Sequence, residues 1–108
     1  MVVGVPIEIK ENENRVSMTP YAVRTLVNDG HEVLIQESAG VKSGFSNDEY
    51  KENGARIVGT LDEVYSESDM IVKVKEPQET ELSKIKESQI VFTYFHFAAT
   101  ISAKSTTL

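Results

Sequence analysis

Cationic and titratable side chains stand at the ends of apolar segments in this chain of 108 residues. Arg15 lies in the polar stretch after the first apolar run, Lys73 and Lys75 close a later run, and Tyr94 and His96 close the last. Arg binds carboxylates through paired hydrogen bonds, Lys holds an anion or polarises a ketone oxygen, and His exchanges protons near neutral pH. These residue types predict a site for a small organic anion with a group that transfers protons.

Each of these residues also has a structural interpretation, and the residue types alone leave it open. His96 stands between Phe95 and Phe97, as a packed core histidine can. The Lys-x-Lys pair can be a solvated strand edge. Arg15, in an acidic loop, can be the partner of a local ion pair. The elements that carry these residues therefore matter as much as the residues themselves.

Short apolar runs alternate with capped polar segments, which is typical of strands alternating with helices. The predicted strands are 1–6, 32–36, 55–58, 69–74 and 89–95. The predicted helices are 20–28, 47–53, 61–67 and 79–86, the first three beginning after the caps Thr19, Ser46 and Thr60. This order predicts an α/β fold, a mostly parallel sheet with helices on both faces. Because ligands bind beyond the carboxyl ends of such strands, the candidate residues should gather at one edge.

Composition limits the classes of function. Eleven Lys and Arg against 17 Asp and Glu give a net charge of −6, which argues against nucleic-acid and anionic-membrane partners. The absence of cysteine excludes disulfides, thiolate catalysis and Cys-ligated metals. The apolar runs are too short to span a membrane, and the first ten residues are not typical of a signal peptide. We expect one cytoplasmic domain with a small-molecule substrate and no metal.

Motifs spread from about residue 2 to residue 99 occur in a consistent order. They are Gly4-Val5-Pro6-x-Glu8-Ile9-Lys10-x-x-Glu13-x-Arg15-Val16-x-x-Thr19-Pro20, Gly30-His31-Glu32-Val33-Leu34, Gly44-Phe45, Gly54-Ala55, Val72-Lys73-Val74-Lys75-Glu76-Pro77 and Phe92-Thr93-Tyr94-x-His96. Together they resemble the N-terminal part of the alanine dehydrogenase/nicotinamide nucleotide transhydrogenase family. The Lys-Glu-Pro segment followed by Tyr-x-His favours alanine dehydrogenase.

The resemblance implies a truncated Rossmann-like or flavodoxin-like substrate domain of an NAD-dependent L-alanine dehydrogenase. That family interconverts L-alanine with pyruvate and ammonia. By the same resemblance, His96 and Lys75 are catalytic residues, and His96 is the general acid–base. Arg15, Lys75 and Tyr94 bind the substrate, and Glu8 has a supporting role.

The resemblance also implies what residues 1–108 lack. NAD is the cofactor of the full-length family, but the NAD-binding domain is absent here, so we expect the chain alone to bind no NAD and to be inactive. The exposed surface left by the missing parts predicts a homo-oligomer. The alternatives are a degenerate keto-acid-binding or assembly module, or a fragment like the transhydrogenase α-subunit. The stretch from Thr100 to Leu108 does not resemble the family's continuation.

Overall fold

Five parallel strands form a single sheet in the computed structural model, which describes residues 1–94. The strands are β1 (Val2–Val5), β2 (Glu32–Gln36), β3 (Arg56–Val58), β4 (Met70–Lys73) and β5 (Ile90–Thr93). Their order across the sheet is β3-β2-β1-β4-β5, and every neighbouring pair is parallel. The predicted α/β class and parallel sheet are confirmed.

The helices of the described residues are α1 (Pro20–Asn28), α2 (Asn47–Glu52), α3 (Leu61–Glu67) and α4 (Glu79–Leu82), with a 3-10 turn at Val41–Ser43. Thr19 caps α1 by accepting from the N–H of Ala22, and capping boxes begin α2 and α3 as predicted. None of these helices is long and apolar enough to cross a membrane.

Several predicted elements are shorter in the structure, and for two of them the contacts that end the element are clear. The predicted helix 79–86 ends at Leu82, because the chain tightens into turns that bury Ile85 in the core. The predicted strand 69–74 ends at Lys73, because the N–H of Val74 donates to the Glu8 side chain. Both boundaries are set by contacts distant in the sequence.

Alternate strand residues face two separate cores. One core joins β1 and β2 to α1 and α2, and contains Val3, Val5, Val33, Ile35, Val23 and Tyr50. The other joins β4 and β5 to α3 and the segment after α4, and contains Ile71, Val91, Val64, Tyr65 and Ile85. Helices therefore cover both faces of the sheet, as the alternation of strands and helices predicts.

Gly4 of the central strand β1 allows α3 to approach the sheet closely. A Cβ atom there would overlap the Ser68 side chain and lie 2.9 Å from Cγ1 of Val64. Any larger residue would push α3 away from the second core. The close approach keeps the core compact beneath the candidate site.

Candidate functional site

The loops that follow β1, β4 and β5 leave the sheet at the same edge. The cause is topology, because β4 lies between β1 and β5 and all three strands run parallel. Arg15 lies in the loop after β1, Lys75 follows β4, and Tyr94 follows β5. The structure thus brings these three predicted site residues to the carboxyl edge, where ligands of open α/β sheets bind.

Arg15 forms a paired ion pair with Glu13. Its Nε and Nη2 donate to the two carboxylate oxygens of Glu13 at 3.0 Å each, and its backbone N–H donates to Oε2 at 2.9 Å. The Glu13 side chain is 4% exposed, whereas that of Arg15 is 60% exposed. The local ion pair considered from the sequence is therefore present, and it fixes the plane of a guanidinium group that faces solvent.

The ion pair changes the pKa values of both partners. The hydrogen bonds and charge of Arg15 hold the pKa of the Glu13 carboxyl below its ordinary value of 4.5, and the charge of Lys75 acts in the same direction. Glu13 in turn raises the pKa of the Arg15 guanidinium. Glu13 therefore lies within the electrostatic reach of both candidate substrate-binding cations.

A cavity of about 160 Å³ opens beside Arg15, between the loops after β1 and β2. Its walls include the apolar side chains of Ile7, Ala39 and Val41. Lys42, in the 3-10 turn, adds a cation to the lining. Lys42 was not predicted as a site residue, because it lies in the connection between the predicted strand 32–36 and the predicted helix 47–53. The pairing of β2 with β1, which brings the two loops together, was the available signal.

Glu8 ties the loop after β1 to the end of β4. Its Oε2 accepts from the N–H of Val74 at 2.8 Å, and its Oε1 accepts from the N–H of Lys75 at 3.3 Å and from Nζ of Lys73 at 3.0 Å. Lys75 itself is half-buried. The supporting role expected for Glu8 corresponds to contacts with three consecutive residues, 73 to 75.

Lys73 is fully buried, so the solvated-edge interpretation is wrong for this residue. Its Nζ lies 3.0 Å from Oε1 of Glu8 and 3.3 Å from Oε2 of Glu81. The hydroxyl of Tyr65 donates to the same Glu81 oxygen at 2.7 Å. Burial, followed by the charge of Glu81, raises the pKa of Tyr65 and keeps it a donor. This buried cluster of Glu8, Lys73, Glu81 and Tyr65 was not predicted from the sequence.

Tyr94 connects the end of β5 to the loop that carries Arg15. Its hydroxyl donates to the carbonyl oxygen of Ser17 at 2.6 Å, and its N–H donates to the carbonyl oxygen of Lys73 at 3.2 Å. The Ser17 hydroxyl donates to the carbonyl of Val72 at 2.8 Å. His96, the predicted acid–base, lies outside the described residues, so its role stays a prediction.

Known proteins share both the sequence and the fold. The family model described as "Alanine dehydrogenase/PNT, N-terminal domain" matches residues 4–107. The alanine dehydrogenase of Mycolicibacterium smegmatis is 50% identical over 99 residues, which cover 92% of this chain and 27% of that protein. The chain thus spans about a quarter of the length of this curated relative.

Two solved structures have the same fold. An L-alanine dehydrogenase matches with a TM-score of 0.84 at 42% identity, covering 87% of this chain and 26% of that chain. A transhydrogenase from Sinorhizobium meliloti matches with a TM-score of 0.83 at 27% identity, covering 96% of this chain and 32% of that chain. The two folds fit equally well, and the sequence identity favours the first.

Proposed function

Because the chain belongs to the alanine dehydrogenase/PNT N-terminal domain family, we propose that it is the N-terminal part of the substrate domain of an NAD-dependent L-alanine dehydrogenase. This oxidoreductase would convert L-alanine reversibly to pyruvate and ammonia. One observation carries the proposal: Arg15 and Lys75 follow the parallel neighbouring strands β1 and β4, which end at the same edge of the sheet. Two cations at the carboxyl edge suit a substrate with a carboxylate beside a polarised oxygen.

Each candidate residue takes a specific part in this proposal. Arg15 binds the carboxylate of pyruvate or alanine, and its pairing with Glu13 fixes the plane in which it does so. Lys75 holds the ketone oxygen, and its positive charge favours attack of ammonia on the carbonyl carbon. His96 gives or takes the proton at the oxygen of the resulting carbinolamine. Tyr94 lines the site, and its hydroxyl joins the end of β5 to the loop that carries Arg15.

The described residues do not fit a dinucleotide. NAD-binding domains carry a glycine-rich turn directly between a strand and a helix. The connection between β1 and α1, residues 6–19, contains no glycine. Gly40 and Gly44 after β2 and Gly59 after β3 do not have the G-x-G-x-x-G spacing, which occurs nowhere in residues 1–94. NAD, which accepts the hydride in the full-length family, would therefore be held by a part of the protein other than residues 1–94. We propose that the chain alone is catalytically inactive.

The partners follow from charge and surface. We propose a small-molecule substrate and a cytoplasmic location. We also propose no nucleic-acid or membrane partner, because the net charge of −6 would repel anionic partners. Ile90 and Phe92 of β5, 44% and 43% exposed, support self-association through an apolar surface at the edge of the sheet. Light scattering at tens of micromolar tests this association, and a clean monomer would contradict it.

The activity is tested by completing the chain. The chain is fused to the part of the M. smegmatis enzyme that follows the matched region, and alanine-dependent NADH formation is measured. The fusion should be active and the chain alone inactive. The control joins the relative's own N-terminal part to the same remainder in the same way. Activity in that control but not in the fusion would contradict the proposal, and NAD binding by the chain alone would overturn its predicted inactivity.

A further inference from the structure

Glu8 takes the place of a neighbouring strand for the residues just beyond β4. The β1–β4 pairing covers Met70 and Ile71, and β4 ends at Lys73. The N–H groups of Val74 and Lys75 then both donate to the carboxylate of Glu8. A carboxylate has two acceptor oxygens, so it can accept from two successive backbone N–H groups, whereas a strand carbonyl has one oxygen. The Glu8 side chain thus holds the backbone N–H groups of both Val74 and Lys75.

The carboxylate of Glu8 is itself held in place by the buried cluster. Its side chain is 3% exposed, and Lys73, 0% exposed, donates to it from the second core. Glu81 pairs with Lys73 at 3.3 Å, and the Tyr65 hydroxyl donates to the same Glu81 oxygen. A buried, fully hydrogen-bonded network of this kind has little freedom to shift. It therefore forms a rigid base under the segment that carries Lys75.

We propose that Glu8 is a positioning residue for Lys75, acting through the backbone of residues 74 and 75 rather than by touching substrate. The inference rests on the proposed function, in which Lys75 holds the oxygen of a 2-keto acid. It adds that the affinity for this class of substrate depends on Glu8, whose side chain is 3% exposed and already accepts three hydrogen bonds from the protein. A small misplacement of a binding group lowers the affinity for its ligand, so a residue that fixes the backbone of Lys75 contributes to binding.

The test compares two buried carboxylates on either side of Lys73. Glu8→Gln leaves one acceptor oxygen, so the new NH2 group faces either the Val74 N–H or the donors from Lys73 and Lys75. Glu81→Gln also removes a charge beside Lys73, but Glu81 accepts from neither of these backbone N–H groups. Glu11→Gln, on an exposed residue of the same loop, is the surface control.

Two readouts are measured on the 108-residue chain. Hydrogen exchange should accelerate about tenfold at the amides of Val74 and Lys75 in Glu8→Gln, beyond any change in the sheet amides. The dissociation constant for pyruvate should rise by a similar factor. Glu81→Gln should accelerate exchange across the sheet without singling out these two amides. Equal patterns in the two variants would overturn the proposal.

Glu8→Asp keeps the experiment decisive if Glu8→Gln does not fold. Aspartate retains the charge that Lys73 needs and shortens the reach by one methylene, so it should show a smaller acceleration confined to the same amides and a partial recovery of pyruvate affinity. Acceleration spread over the whole sheet would contradict the positioning role. If the unsubstituted chain binds no pyruvate, the proposed substrate binding fails in this chain, while the exchange data still decide whether Glu8 positions Lys75.

Discussion

The Glu8–Lys73 pair and the Glu13–Arg15 pair lie at the same edge of the sheet, yet their surroundings are opposite. Lys73 is 0% exposed and is shared by two buried carboxylates, whereas the Arg15 side chain, which pairs with Glu13, is 60% exposed. The first pair contacts only the protein, and the second presents its cation to solvent. Similar residue types thus stabilise the fold where they are buried, and they suit ligand binding where the cation is exposed.

The comparison is tested most strongly by removing the buried cation. Lys73→Met leaves Glu8 and Glu81 facing each other without a positive charge, and should lower the free energy of unfolding by about 3–5 kcal/mol. Urea denaturation measures the loss. Lys84→Met is the matched control, since Lys84 pairs with Asp62, whose side chain is 77% exposed. This variant should lower the free energy of unfolding by less than about 1 kcal/mol. Equal losses of stability in the two variants would contradict the distinction between buried and exposed ion pairs.

Lys75, two residues along, should respond in binding rather than in stability. Lys75→Ala should weaken pyruvate binding by about 1.5–3 kcal/mol, the usual contribution of a hydrogen bond to a charged group. Calorimetric titration of the 108-residue chain measures it. The free energy of unfolding should fall by less than in Lys73→Met, because Lys75 is half-buried whereas Lys73 is fully buried. A large loss of stability with unchanged pyruvate affinity would assign Lys75 to support instead.

The exposed pair should have the smallest effect, seen as a dependence on pH. Arg15 holds the pKa of Glu13 below 4.5, so the stabilisation is present above that pH and is lost as the pH falls through the lowered pKa. Urea midpoints between about pH 5 and pH 3 follow this loss. Glu13→Gln should remove this part of the pH dependence. Arg15→Met should also diminish it, because the pKa of Glu13 then loses the main cause that lowers it, and an unchanged profile would contradict the assignment.

The local parts of the fold were predictable because their signals lie within a few residues. Thr19, Ser46 and Thr60 cap helices that begin where the sequence places them. The ion pair of Arg15 with Glu13, two residues away, is also local and was one of the open interpretations. Local hydrogen-bonding chemistry is enough to recognise such features.

The buried cluster was not predictable, because its four members come from four different elements: the loop after β1, α3, β4 and α4. Lys73 is separated from Glu8 by 65 residues, and only the completed sheet brings the two together. A lysine at the end of an apolar strand indicates a solvated edge when its partners are unknown. The end of α4 has the same origin, because the burial of Ile85 depends on the second core. Residue type and spacing do not encode such contacts directly.

The strand order also determines the sequence in which the strands can pair while the chain is being synthesised on the ribosome. Translation delivers β1, β2 and β3 first, and these three adjacent strands can pair as soon as they have emerged. The other edge of β1 stays open until β4 is synthesised, and Lys73 then awaits Glu81 before its second carboxylate is in place. At about 5–20 residues per second, the interval between β3 and β4 leaves one edge of the central strand open for about a second. An open strand edge can pair with another chain, so the interval between residues 58 and 70 is a stage at which the nascent chain can aggregate.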